Sequence, residues 1–420
     1  MAEPGEHLRR RDVACPFCGL GCDDLEIERE AERLLLRHGA CPISKVEFER
    51  VLPTQAAARV AGAPTDHAAA VAAAAEILRR SRMPVVGGLA TDIDGMRGAL
   101  ELADRTGAVI DHRGSEALFR DLTALRDIGT MTTTFSEVRN RCDLLLIVGP
   151  DPLPTVPRFL ERCLADRPTL FEMEPAERRL IHLGPAPGAA QDRLTHIPCS
   201  AKALAPTLAK LRAILRRPAS ASGVEAALTE LAAKLKGARY AVIAWSAALL
   251  PAADADLIIL CLVEIIRELN RVGRAAGLPL GGAENLTGAN QACLWQTGHP
   301  LRTSFGAASP RHDPYLYSAA RLIAGGEADA LVWVAAFGGS LPPPLPPEAP
   351  LILLATPDAA PAIEPAVFLP VGRPGIDHAG QIFRADGVVA LPLGVLRESV
   401  LPRAGDTLRD IARAFEAAAP

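Results

Sequence analysis

The sequence predicts an α/β protein in which parallel β-sheets are covered by helices, and three observations support this fold class. From about residue 61 onward, short apolar runs alternate with amphipathic stretches, which is typical of strands joined by crossing helices. The apolar runs are rich in Val, Ile and Leu, as strands buried on both faces are. The chain has 420 residues, 49% of them hydrophobic and 22% charged, so it is long enough for two or three domains of about 150 residues.

This pattern predicts strands and helices in alternation. The predicted strands are residues 84–89, 108–112, 143–149, 169–173, 240–244, 330–335, 351–355 and 366–371. The predicted helices are residues 66–80, 94–106, 254–270 and 406–419. Thr65 or Asp66 supplies the N-cap of the first helix, and Gly107 ends the second.

Three domains are predicted: a small Cys-rich domain over 1–60, an α/β domain over 61–220, and a second α/β domain with a C-terminal extension over 221–420. The boundary between the α/β domains lies near 217–223, because small and helix-breaking residues are typical of a connector. Six prolines within 341–350 predict a stiff polyproline segment between strands.

The composition argues against several functional classes. The formal net charge is −4, so the chain lacks the basic surface that tracks a phosphate backbone, and no nucleic-acid partner is expected. The apolar runs are shorter than the ~20 residues that cross a bilayer, and the charged N-terminus lacks the apolar core of a secretory signal, so no membrane association is expected. Nine cysteines, an odd number, predict reduced thiols or metal ligands in a cytoplasmic protein.

The N-terminal cysteines form the strongest local motif. Three of them follow the spacing C-x2-C-x3-C, and the fourth comes 18 residues later; they are Cys15, Cys18, Cys22 and Cys41. Four thiolates from a tight loop and a distant segment suit a four-iron, four-sulfide cluster, and Gly19 and Gly21 let the backbone bend around it. Zinc held by four thiolates and a metal-free relic of the motif are the alternatives, although zinc ribbons usually pair two C-x2-C knuckles. The sequence therefore predicts a 4Fe-4S-type metal site.

Lys45 lies four residues after Cys41. Placed beside a cluster, on the side that faces the next cofactor, its charge would tune the reduction potential. A solvated lysine at the start of a helix is the alternative.

Several further motifs occur in one order along the chain: DIG at 127–129, EVRNRCD at 137–143, GANQ and WQTGHP within 288–300, and PVGRPGIDH at 370–378. With the cysteine motif, they resemble the B subunit of formylmethanofuran dehydrogenase, which is the tungsten- or molybdenum-pterin subunit related to formate dehydrogenases. The chain resembles more closely its bacterial counterpart in the formyltransferase/hydrolase complex of methylotrophs. The resemblance implies a molybdopterin-oxidoreductase-like, formate dehydrogenase-type fold with two Rossmann-like α/β domains and the small Cys-rich domain.

The resemblance also locates a departure from the dehydrogenases. Their metal is bound by a Cys or selenocysteine in a short turn before the DIG segment, whereas this chain has no Cys between Cys41 and Cys142. Ser115 or Asp111 could still ligate a hard, high-valent metal. Otherwise the Mo/W-bis-pterin is expected to be absent.

The function that the resemblance implies is that of a non-redox structural subunit. Its complex transfers a formyl group from tetrahydromethanopterin to methylofuran and releases formate, as part of one-carbon oxidation. The implied partners are three other subunits, which are amidohydrolase-like, β-helical and formyltransferase chains, and polyglutamylated methylofuran. The alternative is a Mo/W-pterin-dependent formylmethanofuran dehydrogenase subunit, which is an oxidoreductase. No catalytic residue is predicted, since the chain has no Ser-His-Asp order, H-E-x-x-H motif or phosphate loop.

Five polar residues in the matching segments are expected to line the relic pterin crevice, together with Lys45. They are Asn290, Gln291, Gln296, Thr297 and His299. Open α/β sheets bind ligands at the carboxyl ends of their strands, which is where these segments should lie. For His299, and for Arg373 and His378 in the Pro/Gly loop, a hydrogen-bonded structural role is the alternative.

Overall fold

The computed structural model describes residues 8–165, 168–188, 193–216, 224–339, 341–346 and 348–417. It divides into two compact units: unit 1 comprises residues 1–115 and 282–420, and unit 2 comprises residues 116–281. Each predicted domain is one continuous range of residues. Unit 1 consists of two separate ranges, because its main sheet takes strands from both parts of the chain. The predicted connector at 217–223 lies outside the described residues.

The described elements alternate as expected for a mixed α/β fold with several sheets. The strands are β1 (Leu8–Val13), β2 (Leu25–Glu30), β3 (Arg33–His38), β4 (Ala58–Val60), β5 (Ala63–Thr65), β6 (Pro84–Ala90), β7 (Val109–Ile110), β8 (Leu144–Val148), β9 (Arg179–Gly184), β10 (Leu194–Pro198), β11 (Ala241–Trp245), β12 (Ala275–Pro279), β13 (Thr303–Ser304), β14 (Arg311–His312), β15 (Ala330–Ala335), β16 (Leu351–Ala355), β17 (Val367–Pro370), β18 (Gly380–Phe383) and β19 (Ala390–Leu393). The α-helices are α1 (Pro42–Glu49), α2 (His67–Arg80), α3 (Ile93–Thr106), α4 (Ser115–Ile128), α5 (Phe135–Arg141), α6 (Leu204–Arg216), α7 (Val224–Lys236), α8 (Ala255–Leu269), α9 (Leu286–Thr297), α10 (Ala319–Ala324) and α11 (Ala404–Ala417).

Unit 1 is built on a sheet with the strand order β14-β13-β7-β6-β15-β16-β17-β4-β5. The five strands from β7 to β17 are parallel to one another. The chain runs from β6 outward to β7 and later returns to place β15 on the other side of β6. The strand order therefore reverses between β6 and β15, which is where open α/β sheets form a crevice.

Glycine permits close packing at this reversal. Gly88, near the end of β6, has φ +74°, and a Cβ atom there would lie 2.7 Å from the carbonyl oxygen of Val334 and 2.8 Å from the ring of Trp333. Trp333 is buried on β15 in an apolar cluster with Val85 and Phe368. Helices α2, α3 and α11 pack together, with α3 against β6 and α2 against β17.

Unit 2 is a five-stranded parallel sheet with the order β10-β9-β8-β11-β12. Helix α6 packs against α7 and α8. Its apolar core includes Leu146 and Ile243 from the strands and Leu208, Leu231 and Leu262 from the helices, all with at most 1% of their surface exposed. Burial of this kind contributes most of the favourable free energy of folding.

Two smaller antiparallel sheets belong to unit 1. Strands β1, β2 and β3 form a meander that precedes α1, and β18 pairs with β19 in a hairpin. Helix α1 begins at Pro42, and the side chain of Cys41, the residue before it, caps the helix. Within the described part of the chain, no helix is both long and apolar enough to cross a membrane.

The prediction of an α/β class is confirmed, as are seven predicted strands, which correspond to β6, β7, β8, β11, β15, β16 and β17. The predicted helices correspond to α2, α3, α8 and α11, although residues 418 and 419 lie outside the described range. Asp66 is the N-cap of α2, and Gly107 ends α3 with φ +71°.

The strand predicted over 169–173 is wrong, because this segment forms a turn. The hydroxyl of Thr169 accepts hydrogen bonds from the backbone N–H groups of Phe171 and Met173, both at 3.2 Å. The backbone N–H of Thr169 donates to the carbonyl of Met173 at 2.9 Å, which closes the turn. A local side-chain bond of this kind competes with the strand ladder.

Candidate functional site

The parallel strands of unit 1 end in a group of buried polar residues, which we call the carboxyl edge. They are Thr91 and Asp92 after β6, Asp111, His112 and Ser115 after β7, Thr356 after β16, and Arg373, Asp377 and His378 after β17. Polar side chains are seldom fully buried without partners or a function. Since ligands of open α/β sheets bind at this end of the strands, the carboxyl edge is the candidate site.

Asp111 and Ser115 face a buried arginine. The Nε atom of Arg302 lies 3.6 Å from Oδ2 of Asp111 and donates a hydrogen bond to the hydroxyl of Ser115 at 3.3 Å. The same carboxylate oxygen accepts a hydrogen bond from the backbone N–H of Ala319 at 2.9 Å. Burial raises the pKa of Asp111 to about 6, and the Arg302 charge offsets part of that rise.

This arrangement does not suit a molybdenum or tungsten ion. A guanidinium already lies against both oxygen-bearing side chains that could serve as hard ligands, and its positive charge would repel a metal cation. The residues present at this position therefore do not fit the pterin-bound metal of the dehydrogenases.

His112 is held as a neutral imidazole. Its Nδ1 atom accepts a hydrogen bond from the backbone N–H of Gly114 at 2.9 Å, so the proton resides on Nε2, which donates to the carbonyl oxygen of Glu284 at 3.3 Å. Burial lowers the pKa of His112 to about 4, and the charge of Arg113 adds to the effect. At neutral pH this side chain fixes the turn after β7 and carries no charge.

Glu284 and Asn285 join several parts of the edge. Both adopt left-handed backbone conformations, with φ of 58° and 60°. The buried Asn285 side chain donates from Nδ2 to the carbonyl of Thr91 at 3.0 Å and accepts at Oδ1 from the backbone N–H of Phe383 at 2.9 Å. A Cβ at Gly288 would lie 2.2 Å from Asn285 Oδ1, so only glycine leaves room for this side chain. Asn285 thus ties the end of β6 to the β18 strand and to α9.

Arg373 joins the carboxyl edge to the N-terminal segment. Its Nη1 atom donates to the carbonyl oxygen of Glu47 at 2.7 Å and lies 3.3 Å from Oε2 of the same residue. Its guanidinium lies 5.8 Å from the ring centre of Phe17, within the cysteine motif. Burial lowers the pKa of Arg373 to about 10, which leaves the side chain protonated at neutral pH.

Among the four motif cysteines, Cys15 and Cys22 lie close together, since the backbone N–H of Cys15 donates to the carbonyl oxygen of Cys22 at 2.8 Å. Cys15, Cys18 and Cys22 are buried and Cys41 is half-buried. Burial raises the pKa of the Cys15 thiol well above its usual range, and the charges of Cys18, Cys22 and Cys41 raise it further. Four thiolates in such a place repel one another unless an iron core offsets their charge.

The loop that carries the cysteine motif has features that favour a metal cluster and features that do not. Gly19 and Gly21 have φ of 81° and 63°, as the sequence led us to expect of a loop that bends sharply. The Cys41 sulfur, however, accepts a hydrogen bond from the backbone N–H of Ser44 at 3.3 Å. Among the described residues, no group of three or more His, Cys, Asp or Glu side chains is arranged to hold a metal ion. The donor types suit a cluster, and the cluster itself stays a prediction.

The residues expected at the relic crevice lie on α9 and the turn after it, whereas Lys45 is exposed on α1. Asn290 Oδ1 accepts from the backbone N–H of Leu301 at 3.1 Å, and Gln291 Nε2 donates to the carbonyl of Gly387 at 3.0 Å.

The hydroxyl of Thr297 donates to the carbonyl of Cys293 at 2.7 Å and accepts from the backbone N–H of His299 at 3.0 Å. The ring of His299 stacks on that of His312 with centres 6.2 Å apart, and Gln296 is exposed. The hydrogen bonds of Asn290, Gln291 and Thr297 therefore hold α9 in place, and a ligand role for the set stays a prediction.

Sequence reasoning missed Arg302, Glu284 and Asn285. No motif or spacing distinguishes Arg302, since only the fold brings it beside Asp111. Gly281 and Gly282 are typical of a turn just before Glu284, but they do not indicate the left-handed residues that follow.

Comparison with known proteins gives relatives but no family model, since none matches the chain. Over 292 residues the chain is 35% identical to the B subunit of the formyltransferase/hydrolase complex Fhc of Methylorubrum extorquens, a match that covers 69% of this chain and 76% of the relative. Over 399 residues it is 27% identical to the B subunit of the tungsten-containing formylmethanofuran dehydrogenase 2 of Methanocaldococcus jannaschii, covering 90% and 92%. The crystal structure of the M. extorquens formyltransferase/hydrolase complex with methylofuran matches with a TM-score of 0.76 at 31% identity, covering 86% of this chain and 99% of that one.

Proposed function

The chain belongs to the family of the B subunit of the formyltransferase/hydrolase complex, and from that premise we propose that it is the non-redox structural subunit of such a complex. The complex transfers a formyl group from tetrahydromethanopterin to methylofuran and releases formate. A molybdopterin-oxidoreductase-like fold is part of the proposal, supported by the reversal of strand order between β6 and β15.

One observation carries the choice of a structural over a redox role: Arg302 lies against Asp111 and Ser115. In the dehydrogenases that the sequence resembles, this part of the chain supplies the soft ligand of the metal. Here the sequence has no Cys between Cys41 and Cys142, and the guanidinium of Arg302 lies against Oδ2 of Asp111 and the hydroxyl of Ser115, so a metal cation at this position would meet a like charge. The dehydrogenase alternative therefore lacks the soft metal ligand that it requires at this position.

The proposed partners are an amidohydrolase-like subunit, a β-helical subunit and a formyltransferase subunit, in the cytoplasm. The proposal includes polyglutamylated methylofuran, whose acidic tail suits the Arg-rich composition of the chain. If Arg–carboxylate pairs hold the tail, retention of the cofactor by the complex should fall steeply with added salt. Retention that is independent of salt would remove the tail contact from the proposal.

A four-iron, four-sulfur cluster on Cys15, Cys18, Cys22 and Cys41 completes the proposal. The burial of three of these thiols, their mutual effect on the pKa of Cys15 and the bends at Gly19 and Gly21 support it. When bound, such a group would supply a structural cross-link between the loop and α1. The four thiols would hold it, and Phe17 would shield it from water.

The proposed function is tested by expressing the chain with and without the three other subunits. We expect size-exclusion chromatography to show one stable assembly on co-expression, with formyl transfer and formate release, because permanent interfaces bury upwards of ~2,000 Å² of mostly apolar surface. The chain alone should aggregate or express poorly, and should neither release formate nor oxidise it with a dye acceptor. A well-behaved monomer that releases or oxidises formate on its own would overturn the proposal.

A further inference from the structure

One edge of the Arg373 guanidinium has no acceptor in the part of the chain that the structure describes. Arg373 lies in the turn after β17 with its side chain fully buried. Its Nη1 atom is used by Glu47, as described above, whereas its Nε and Nη2 atoms have no hydrogen-bond partner among the described residues. A buried charged donor left without an acceptor costs free energy, so this edge is suited to an acceptor that the polypeptide does not supply.

We propose that Arg373 and Arg50 form a binding site for a small oxyanion, a carboxylate or a phosphate, at the carboxyl edge of unit 1. The Nε and Nη2 groups of a guanidinium point in the same direction and form the fork that binds two oxygens of one anion. These are the two unpartnered groups of Arg373. The fork lies on a different edge from the Nη1 atom that Glu47 occupies.

Arg50 contributes a second cation to the same place. A Cβ atom at Gly338 would lie 2.7 Å from Nη2 of Arg50 and 2.8 Å from Nη2 of Arg373, so both guanidinium groups border one point of the backbone. Arg50 Nη2 also lies 3.1 Å from Oδ2 of Asp358, and Arg50 Nε is buried without a partner among the described residues. The hydroxyl of Thr356 lies 3.7 Å from the same Cβ position and donates to Oδ1 of Asp358.

The turn that carries Gly338 is open on its other side. Gly338 follows β15 with φ +83°, and Gly339 has φ +80° and is exposed, with no described atom within 4 Å of its Cβ position. Arg50 is only half-buried. Arg50 is therefore the solvent-accessible side of the proposed site, and the Arg373 fork is its buried side.

Acidic residues nearby set the expected strength of binding. Glu47 contacts Nη1 of Arg373, Asp358 contacts Arg50, and the Asp377 side chain bonds both the backbone N–H of Arg373 and Nε of Arg397. These carboxylates thus already balance the charges of the arginines before any ligand binds. We expect a dissociation constant on the order of millimolar, with selectivity for anions that present two oxygens to the fork.

The matched pair Gly338→Ala and Gly339→Ala tests the site. Both substitutions place a Cβ at positive φ and carry a similar backbone cost, but only that at Gly338 lies within 3 Å of the two guanidinium groups. The full chain, purified in its complex where it is not stable alone, is titrated with sodium acetate and with sodium phosphate against sodium chloride at equal ionic strength. Calorimetry and the thermal midpoint report binding, since a ligand that binds the native state raises that midpoint.

We expect one of the two oxyanions to bind the natural chain and chloride not to. Stronger binding of acetate assigns a carboxylate ligand, and stronger binding of phosphate assigns a phosphate ligand. Gly338→Ala should weaken binding by about tenfold and Gly339→Ala by less than about twofold, with Arg50→Gln intermediate. Equal protection by chloride, or equal loss in the two glycine variants, would overturn the proposal.

Discussion

The Nε atom of Arg302 lies 3.6 Å from Oδ2 of Asp111, across the position where the family's dehydrogenases are expected to bind their metal. Because both groups are buried, the attraction between them is stronger than at a surface, and a metal cation would have to displace the guanidinium. We predict that the complex purified from cells grown with molybdate or tungstate contains neither metal in stoichiometric amount. Elemental analysis and assay for released pterin check this, and near one metal per chain would contradict it.

Asp111 and His112 titrate in opposite directions although they are neighbours. Burial raises the pKa of Asp111 to about 6, so its contribution to stability is complete below its unfolded pKa of about 4 and is lost as pH rises to 6. Burial lowers the pKa of His112 to about 4, so its contribution is complete above about 6.5 and is lost as pH falls. In the natural chain the two groups therefore change the free energy of unfolding in opposite directions between pH 4 and 6.

Single substitutions should reveal the pH dependence that each group contributes to the free energy of unfolding. In Asp111→Asn the remaining His112 should make the free energy of unfolding, measured with urea, fall on acidification from pH 6 to 4 relative to the natural chain, by up to about 1.4 kcal/mol per pH unit. In His112→Asn, which keeps an acceptor for the Gly114 N–H, the free energy of unfolding should rise over the same range. Equal pH dependence in both variants would show that these residues do not carry the opposed shifts.

The sequence predicted the elements of unit 1 better than its site, for physical reasons. Strands such as β6, β15 and β16 are continuous apolar runs whose burial is visible in the residue types themselves. The partners of Asp111 are not visible in this way, because Arg302 and Ala319 reach it only through the folding of distant segments.

Two further differences, at residues 169–173 and in β12, have separate causes. The hydroxyl of Thr169 turns an apolar segment into a loop, against its strand propensity. Strand β12 was missed because Ala275, Gly277 and Pro279 are weak strand formers, and it is stabilised by pairing with β11.

The cluster prediction depends on the four N-terminal thiols. After anaerobic reconstitution with iron and sulfide, the complex should hold close to four irons per chain and show broad visible absorption. Cys18→Ser should abolish both, whereas Cys261→Ser, which alters a half-buried thiol on α8 in unit 2, should leave them unchanged. Failure of the natural complex to take up iron, or equal loss in both variants, would contradict a cluster and favour a metal-free motif.

Asn285 makes two hydrogen bonds from a left-handed backbone position. Substitutions can therefore separate the effect of these bonds on stability from the effect of the backbone conformation. Asn285→Gly keeps the backbone conformation accessible and removes both bonds, leaving the carbonyl of Thr91 and the N–H of Phe383 without this partner. Since each of the two buried groups left unpaired costs about 1 to 3 kcal/mol and glycine relieves the positive φ by about 1 kcal/mol, we expect a loss of roughly 1 to 5 kcal/mol in the free energy of unfolding. Asn285→Asp should cost more, because a carboxylate oxygen would then face the Thr91 carbonyl.

Glu284→Gly is the matched control for the backbone. It relieves the positive φ at the preceding residue, a gain of about 1 kcal/mol, and removes the ion pair with the exposed Arg113, a loss of less than about 1 kcal/mol. The net change should be close to zero. Urea unfolding of the three variants distinguishes these effects, because a small change in Asn285→Gly would mean that the side-chain bonds of Asn285 do not hold the carboxyl edge together.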